Sequence, residues 1–285
     1  MSLESNILFL RSTMLEAVRT FFYQRQCFEV DVSILKPFAD IDTYIEPICV
    51  GKQFLHTSPE YEMKKLLAKY KKDIFYLGHV FRKEEEGKKH KTEFTMIEWY
   101  RIGFSFEAMI QEILALIQLF TKEKHVNLLT YKQVFEMFVK IDPFTVTKQE
   151  LLKKLHTFSI EKSETLTKDD LLNLCFSFLI EPKLSDITIV YDYPATQAAL
   201  SQIEGNIAKR FEIFVDQFEI ANGYKELLDP KEQKKRFLGY KKSYALDEAF
   251  LDALSNIPEC CGVAVGFDRL MMLLAHANHI QDIYP

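Results

Sequence analysis

The chain has 285 residues, 48% of them hydrophobic and including 24 Phe and 13 Tyr, so its composition indicates a folded protein and excludes a disordered one. The formal charge of −5 argues against a broad nucleic-acid surface, because neutralising phosphates requires clustered Lys and Arg. The five cysteines form no Cys-x-x-Cys pair, and no apolar run approaches the roughly 18 residues of a membrane span. We therefore expect a cytoplasmic protein without a disulfide framework, a zinc site or a membrane anchor.

The first elements are a helix and a strand. Apolar residues at helical spacing predict a helix over 7–24, and a strand is expected over 27–32. A second helix should begin near Ser58, a good N-cap, with Pro59 at its first position and Glu60 in its first turn. Capping alone explains these three residues. A helix start at the rim of a sheet is also a place where a carboxylate can bind a ligand ammonium group.

The stretch 73–103 is the most informative part of the chain. Alternating residues over 74–81 and 94–100 predict two strands joined by a charged hairpin loop. The mixed charge of this loop is typical of a solvated hairpin tip, but it also suits a phosphorylated ligand. Glu98 and Tyr100 occupy alternate positions of an apolar, aromatic strand, where burying them is costly unless they have a function.

The central region is predicted to be helical. Apolar residues recur at spacings of three and four, which predicts helices packed beside the sheet over 106–120, 131–141, 148–155 and 168–179. Their polar faces carry no recognisable chemistry. Strand structure resumes over 187–194.

Two acidic residues lie seven positions apart in the next segment, 210–226. Asp216 and Gln217 can form a two-residue turn, which would place Glu212 and Glu219 on adjacent antiparallel strands. Two facing carboxylates repel each other and favour a cation such as Mg²⁺. Each acid taken alone is more often a surface residue.

The last informative stretch is a buried strand that leads through Gly266 into a helix. Arg269 lies at the start of this helix. It could merely pair with Asp268, or it could stack on a base and reach a phosphate.

Four segments resemble the class II aminoacyl-tRNA synthetases, in the lysyl branch. FRKEEEGKKHKTEFTMIEWY is similar to motif 2, TSPE to the amino-acid-binding loop, FEIANGYKE to the metal and lysine element, and CGVAVGFDR to motif 3. The resemblance covers nearly the whole chain. It implies an α+β fold, a mostly antiparallel sheet flanked by helices, in a single catalytic domain over 1–285 with a helical insertion at about 121–185 and no N-terminal anticodon-binding OB-fold.

The resemblance also implies a homodimer, which motif 1 builds in this family. Motif 1 would be the opening helix and strand, but Ser33 stands where the family carries proline and Gln26 where it carries glycine. Dimerisation therefore follows from the resemblance rather than from these residues.

The residue roles implied by the resemblance fall into four groups. Catalysis is assigned to Arg82, Arg269 and Glu219. ATP binding is assigned to Arg82, Lys83, Glu84, His90, Lys91, Phe94, Glu219, Ile220, Gly266 and Arg269. The amino-acid pocket is assigned to Ser58, Pro59, Glu60, Glu98, Tyr100, Asn222, Glu226 and Ala264. Mg²⁺ is assigned to Glu212 and Glu219.

At two positions the chain resembles the short paralogues of this branch, which attach (R)-β-lysine to a lysine side chain of elongation factor P. Ser58 stands where lysyl-tRNA synthetases carry Ala, and Ala264 stands where they carry Gly. The implied reaction is acyl transfer through an adenylate, with ATP as a substrate. Two alternatives stay open: a truncated lysyl-tRNA synthetase that activates lysine for tRNA or another acceptor, and a silent synthetase-like module that binds an amino acid without turnover. The metal acids argue against the silent module, which has no need of them.

Overall fold

The computed structural model describes residues 3–83, 86–156, 158, 165–240 and 242–285. The chain forms two compact units. The first comprises Met1–Glu123 with Lys225–Pro285, and the second comprises Lys124–Tyr224. Within the described ranges, no helix is both long and apolar enough to cross a membrane.

The regular elements are as follows. The helices are α1 (Leu3–Tyr23), α2 (Glu60–Tyr70), α3 (Phe106–Ile117), α4 (Tyr131–Phe138), α5 (Lys148–Leu155), α6 (Lys168–Cys175), α7 (Pro230–Gly239), α8 (Glu248–Leu254) and α9 (Phe267–Ala275). The strands are β1 (Phe28–Glu29), β2 (Leu35–Lys36), β3 (Ile48–Val50), β4 (Gln53–Leu55), β5 (Ile74–Phe81), β6 (Glu93–Ile102), β7 (Val126–Thr130), β8 (Ile187–Pro194), β9 (Ile203–Glu204), β10 (Ile207–Val215), β11 (Phe218–Lys225) and β12 (Cys260–Gly266).

The first unit is organised around the β5–β6 hairpin. Strand β6 pairs antiparallel with β5 on one side and with β12 on the other, and β1 pairs parallel with β5. A separate small sheet has the order β2–β4–β3. The hairpin forms because both strands are rich in aromatic and β-branched residues that alternate in facing direction.

One face of this sheet is packed against α1. Phe22 stacks on Phe75 with ring centroids 4.5 Å apart and contacts the fully buried Trp99. Because successive side chains of a strand point to opposite faces, Glu98 and Tyr100 lie on the face away from Trp99. This second face carries the candidate site.

The second unit contains strands β7 to β11 and has its own core. Strand β10 pairs antiparallel with β8 and β11, short β9 pairs with β10, and β7 pairs parallel with β8. Helices α4 to α6 cover these strands with a cluster of buried apolar side chains that includes Tyr131, Phe135 and Phe176. The turn between β10 and β11 has positive φ at both Asp216 (47°) and Gln217 (70°), the primed hairpin geometry that matches strand twist.

The predicted elements are largely confirmed, with differences at their ends. The α+β fold with a mostly antiparallel sheet is confirmed. The helix predicted over 168–179 is observed as α6, followed directly by a short π-helical turn, Phe176–Ile180. Strand β1 is shorter than the strand predicted over 27–32. Helix α2 begins at Glu60 with Pro59 as N-cap, one residue later than predicted. The single domain with an insertion at about 121–185 stays a prediction.

Candidate active site

Glu98 is only 3% exposed and belongs to a largely buried cluster of polar side chains in the first unit, which we call the pocket. The cluster comprises Ser58, Glu60, Lys64, Glu98, Tyr100 and Glu226. Its Oε2 accepts a hydrogen bond from Ser58 Oγ at 2.7 Å, and its Oε1 accepts one from Tyr100 OH at 2.8 Å. Ser58 Oγ also accepts the backbone N–H of Glu60 at 3.0 Å. The residue predicted as a helix cap therefore joins the start of α2 to the pocket acid.

Lys64 brings two more of the predicted acids together. Its side chain is completely buried, and its Nζ lies 2.6 Å from Glu60 Oε1 and 2.6 Å from Glu226 Oε2. Glu226 follows β11 and donates its backbone N–H to Cys260 O at 3.1 Å. Sequence reasoning missed Lys64. The one signal was its position four residues after Glu60, a spacing that is typical of exposed helical ion pairs.

Strand β12 forms one wall of the pocket. Gly262 pairs with Tyr100, and Ala264 pairs with Glu98. A Cβ on Gly262 would lie 2.3 Å from Glu226 Oε1 and 2.4 Å from Tyr100 Cε1, so only glycine fits there. Gly262 was also missed, because a glycine in a buried strand gives no indication of which side chains approach it.

The pocket carries more negative than positive charge. Glu60, Glu98 and Glu226 face a single lysine, so two negative charges are in surplus when all three acids are ionised. Burial, and then the charge of Glu60, raise the pKa of Glu98 to about 8 despite the hydrogen bonds that it accepts. Burial likewise raises the pKa of Glu226 to about 7, although Lys64 acts to lower it. A ligand with two ammonium groups would relieve this repulsion and keep the acids ionised.

Several of the residues predicted to bind ATP lie at or beside the hairpin loop, whereas Glu219 and Ile220 lie on β11 in the second unit. Arg82 directly follows β5, its guanidinium lies 5.2 Å from the centre of the Phe94 ring, and its Nε approaches Thr57 O at 3.4 Å. Arg269 Nη2 donates to His90 Nε2 at 2.8 Å. Glu84 lies outside the described residues.

Three further residues of the predicted ATP site, Lys83, Lys91 and Gly266, are close in sequence to Arg82, His90 and Arg269. Lys83 donates its backbone N–H to Glu46 O at 2.9 Å, and Lys91 Nζ lies 3.7 Å from the centre of the Tyr284 ring. Gly266 is the N-cap of α9, directly ahead of the turn that carries Arg269.

Asp268 has a scaffold role that separates it from Arg269. Its carboxylate accepts hydrogen bonds from Arg11 (2.7 Å), the Thr95 backbone N–H (2.7 Å) and Tyr284 OH (2.5 Å). These bonds tie α1, β6 and the C-terminal segment to the start of α9. Arg269, whose possible partner was Asp268, instead contacts His90.

In the second unit, the predicted metal acids lie on one face of the β10–β11 hairpin. Glu212 pairs with Asn222 and Phe214 pairs with Glu219, with a β-bulge between the two pairs that leaves Ile220 as the extra residue. Without the bulge, Asn222 would lie on the opposite face, because side chains alternate. Asn222 therefore shares a face with Glu212 and Glu219, and its assignment to the amino-acid pocket stays a prediction.

The oxygen atoms on this face suit a hard cation. Burial raises the pKa of Glu212; Arg210 acts to lower it, and the nearby Glu219 adds to the rise. Glu212 Oε2 accepts from Tyr193 OH at 2.7 Å, and Oε1 pairs with Arg210. Asn222 Oδ1 is buried and has no hydrogen-bond partner among the described residues. No group of three or more His, Cys, Asp or Glu in the described ranges is arranged to hold a metal, so the candidate set is two carboxylates and one amide oxygen.

These features define a class of protein. An antiparallel sheet carries an arginine at the end of one strand, beside a charged hairpin loop, and a second arginine on the helix that follows another strand. A buried acidic pocket lies on the same unit. This is the catalytic domain of a class II aminoacyl-tRNA synthetase type of ligase, which activates an amino acid with ATP.

Comparison with known proteins agrees with this class. The model of the family "tRNA synthetases class II (D, K and N)" matches residues 2–285, and the chain belongs to that family. Proteins named "Elongation factor P--(R)-beta-lysine ligase" are similar to it. The one from Haemophilus ducreyi is 38% identical over 96% of this chain and 91% of its own length. The one from Pasteurella multocida is 37% identical (96% and 92%), and that from Mannheimia succiniciproducens is 36% identical (97% and 93%).

Proposed function

We propose that this chain activates (R)-β-lysine with ATP and transfers the β-lysyl group to a lysine side chain of elongation factor P. The observation that carries the proposal is the pocket of the first unit, in which three buried or half-buried acids face one lysine. Its surplus of negative charge fits a substrate with two ammonium groups. The names of the relatives indicate the acceptor and the β-amino acid.

The chemistry of the first step needs no general base. The substrate carboxylate is already ionised, and it attacks the α-phosphorus of ATP, forming a C–O–P bond while the bond to pyrophosphate breaks. Arg82 is positioned by Phe94 and Thr57 to balance the negative charge of both reactants. In the second step, the neutral amine of an acceptor lysine attacks the acyl carbon, AMP leaves, and an amide forms. Catalysis is mainly positioning and electrostatics.

Ser58 and Ala264 flank the acid that would take the amino group next to the substrate carboxylate. Ser58 Oγ bonds Glu98 directly, and Ala264 is its partner across the strands. In β-lysine this amino group is one carbon farther from the carboxylate than in α-lysine. A hydroxyl group and a methyl group beside Glu98 therefore set where that ammonium can sit. Glu226, at the buried end beside Lys64, is the acid for the distal ammonium group.

Mg²⁺ is part of the proposal. Glu212, Glu219 and Asn222 would hold it. The observation that favours a cation on this face is that the buried Asn222 Oδ1 has no hydrogen-bond partner in the part of the chain that the structure describes. When bound, Mg²⁺ neutralises the charge of phosphate oxygens.

We also propose that the chain is a cytoplasmic homodimer. Leu8, Phe9, Tyr23 and Phe28 on α1 and β1 are each more than half exposed, and these are the elements that resemble motif 1. The cysteines are free thiols, as expected in a reducing compartment.

The decisive experiment is intact mass spectrometry of the acceptor. The protein is incubated with ATP, Mg²⁺ and (R)-β-lysine together with either elongation factor P or tRNA, and parallel reactions contain α-lysine. We expect elongation factor P to gain one β-lysyl group. Preferential charging of tRNA with α-lysine would instead support the truncated synthetase, an alternative that the names of the relatives do not favour.

A further inference from the structure

Lys64 is a completely buried cation whose two ion-pair partners are both acids of the amino-acid pocket. It lies on α2, one turn after Glu60. Its other partner, Glu226, comes from a distant segment of the chain. We propose that Lys64 is a positioning residue that sets the pocket's preference for substrates with two ammonium groups, by holding Glu60 and Glu226 in place and limiting the surplus negative charge to two. This inference rests on the proposed function.

The geometry supports this role more than a general structural role. The ammonium group of Lys64 donates a hydrogen bond to Glu60 Oε1 at 2.6 Å and forms an ion pair with Glu226 Oε2 at 2.6 Å, so it contacts one oxygen of each acid. Each carboxylate therefore keeps a second oxygen for other contacts. Glu60, with 16% of its side chain exposed, is the acid nearest to solvent, whereas Glu226 is 1% exposed. Lys64 thus connects a partly exposed acid with a fully buried one.

The adjacent residue on α2 is a natural comparison. Lys65 also pairs with two acids, Glu62 at 2.9 Å and Asp247 at 2.7 Å, but 27% of its side chain is exposed. Neither of these acids belongs to the pocket. Two neighbouring lysines therefore make the same kind of double ion pair, one inside the pocket and one outside it.

Removing Lys64 would change the protonation of the pocket. The titratable groups around it come from three elements: Glu60 on α2, Glu98 and Tyr100 on β6, Cys260 on β12, together with Glu226 after β11. Although burial acts to lower the pKa of Lys64, the charges of Glu226 and Glu60 raise it, so it stays protonated. Without this cation, the pKa of Glu226, which Lys64 acts to lower, would rise further, so the acids would stay protonated to a higher pH and lose their attraction for ammonium groups.

The test compares Lys64→Met and Lys64→Gln with the matched control Lys65→Met. ATP–pyrophosphate exchange gives KM for the diamino acid and for ATP between pH 6 and 8.5, and thermal unfolding reports folding. We expect both Lys64 variants to raise KM for the diamino acid at least about tenfold at pH 7, the equivalent of one pKa unit, with KM for ATP changed less than about twofold. KM for the diamino acid should fall with rising pH as the pocket acids ionise. In the Lys64 variants this fall should begin at a higher pH than in the wild-type protein. Lys65→Met should keep both values.

The alternative outcomes overturn the inference. Equal kinetics for the Lys64 variants and Lys65→Met would show that the cation does not serve the pocket. A parallel rise of both KM values, or a failure of both variants to fold even at pH 6, where protonated acids need no partner, would show a purely structural role. If the wild-type protein prefers α-lysine, the proposed function fails, but the Lys64 comparison is still decided with α-lysine, which also has two ammonium groups.

Discussion

Replacing Gly262 by Ala tests whether the buried acids of the first unit form the amino-acid site. The added methyl group would lie 2.3 Å from Glu226 Oε1 and 2.4 Å from Tyr100 Cε1. Non-bonded carbon contacts are favourable at about 3.5 to 4 Å, so one of the groups must move by about 1 Å. Glu226 is held by Lys64, and the Tyr100 ring is held by its bond to Glu98, so neither can move without disturbing the pocket.

The expected effect is large and selective. A misplacement of about 1 Å costs on the order of 100-fold in rate, so kcat/KM for the diamino acid should fall about 100-fold. Overpacking of this kind also costs about 1 to 3 kcal/mol of stability. Binding of ATP, measured by calorimetry without amino acid, should change little, because the atoms that the methyl group meets belong to the amino-acid pocket.

Gly239→Ala is the matched control. A Cβ on Gly239, at the end of α7, meets no atom within 4 Å, so this variant should keep wild-type exchange kinetics. If Gly262→Ala behaved like Gly239→Ala, or if it weakened ATP and amino acid equally, the assignment of the pocket would be wrong.

Three further predictions concern substrate choice, metal binding and pH. Ala264→Gly should shift the ratio of exchange rates toward α-lysine by about tenfold, the usual value of one methyl group in a pocket, and an unchanged ratio would remove Ala264 from the specificity argument. Glu219→Ala should raise the Mg²⁺ concentration for half-maximal exchange about tenfold or more, with Glu204→Ala, an exposed acid on β9, as control. Burial raises the pKa of Glu98 from 4.5 to about 8. Its contribution to the stability of the ligand-free protein is therefore full below pH 4.5 and is lost as the pH rises through about 8. The rise in Tm on adding β-lysine should therefore be larger at pH 8 than at pH 6, and equal rises at both pH values would contradict the assignment of Glu98.

Much of the candidate site could be recognised from local pattern. Glu98 and Tyr100 stand out because polar groups at alternate positions of an apolar strand must be compensated when they are buried. The structure supplies that compensation through Ser58, which sequence reasoning had already connected to the pocket by resemblance. The roles of the ATP-binding residues were likewise assigned by resemblance and stay predictions.

Other parts of the site could not be foreseen. Asn222 shares a face with Glu212 only because of the bulge at Ile220, and nothing in a two-residue turn indicates that the register will shift beyond it. Gly262 acquires its importance from Tyr100 on the neighbouring strand and from Glu226. Both cases depend on which residues oppose each other across strands.

The sequence by itself determined the local elements: the hairpin of β5 and β6, the helices of the second unit and the turn at Asp216 and Gln217. Each of these follows from a period or a turn preference that is encoded within a few neighbouring residues. Only the tertiary structure decided that Lys64 is a pocket residue rather than a surface one. A lysine four residues after a glutamate has the same local pattern in either place, and its burial depends on Glu226, which folding brings to it from a distant segment of the chain.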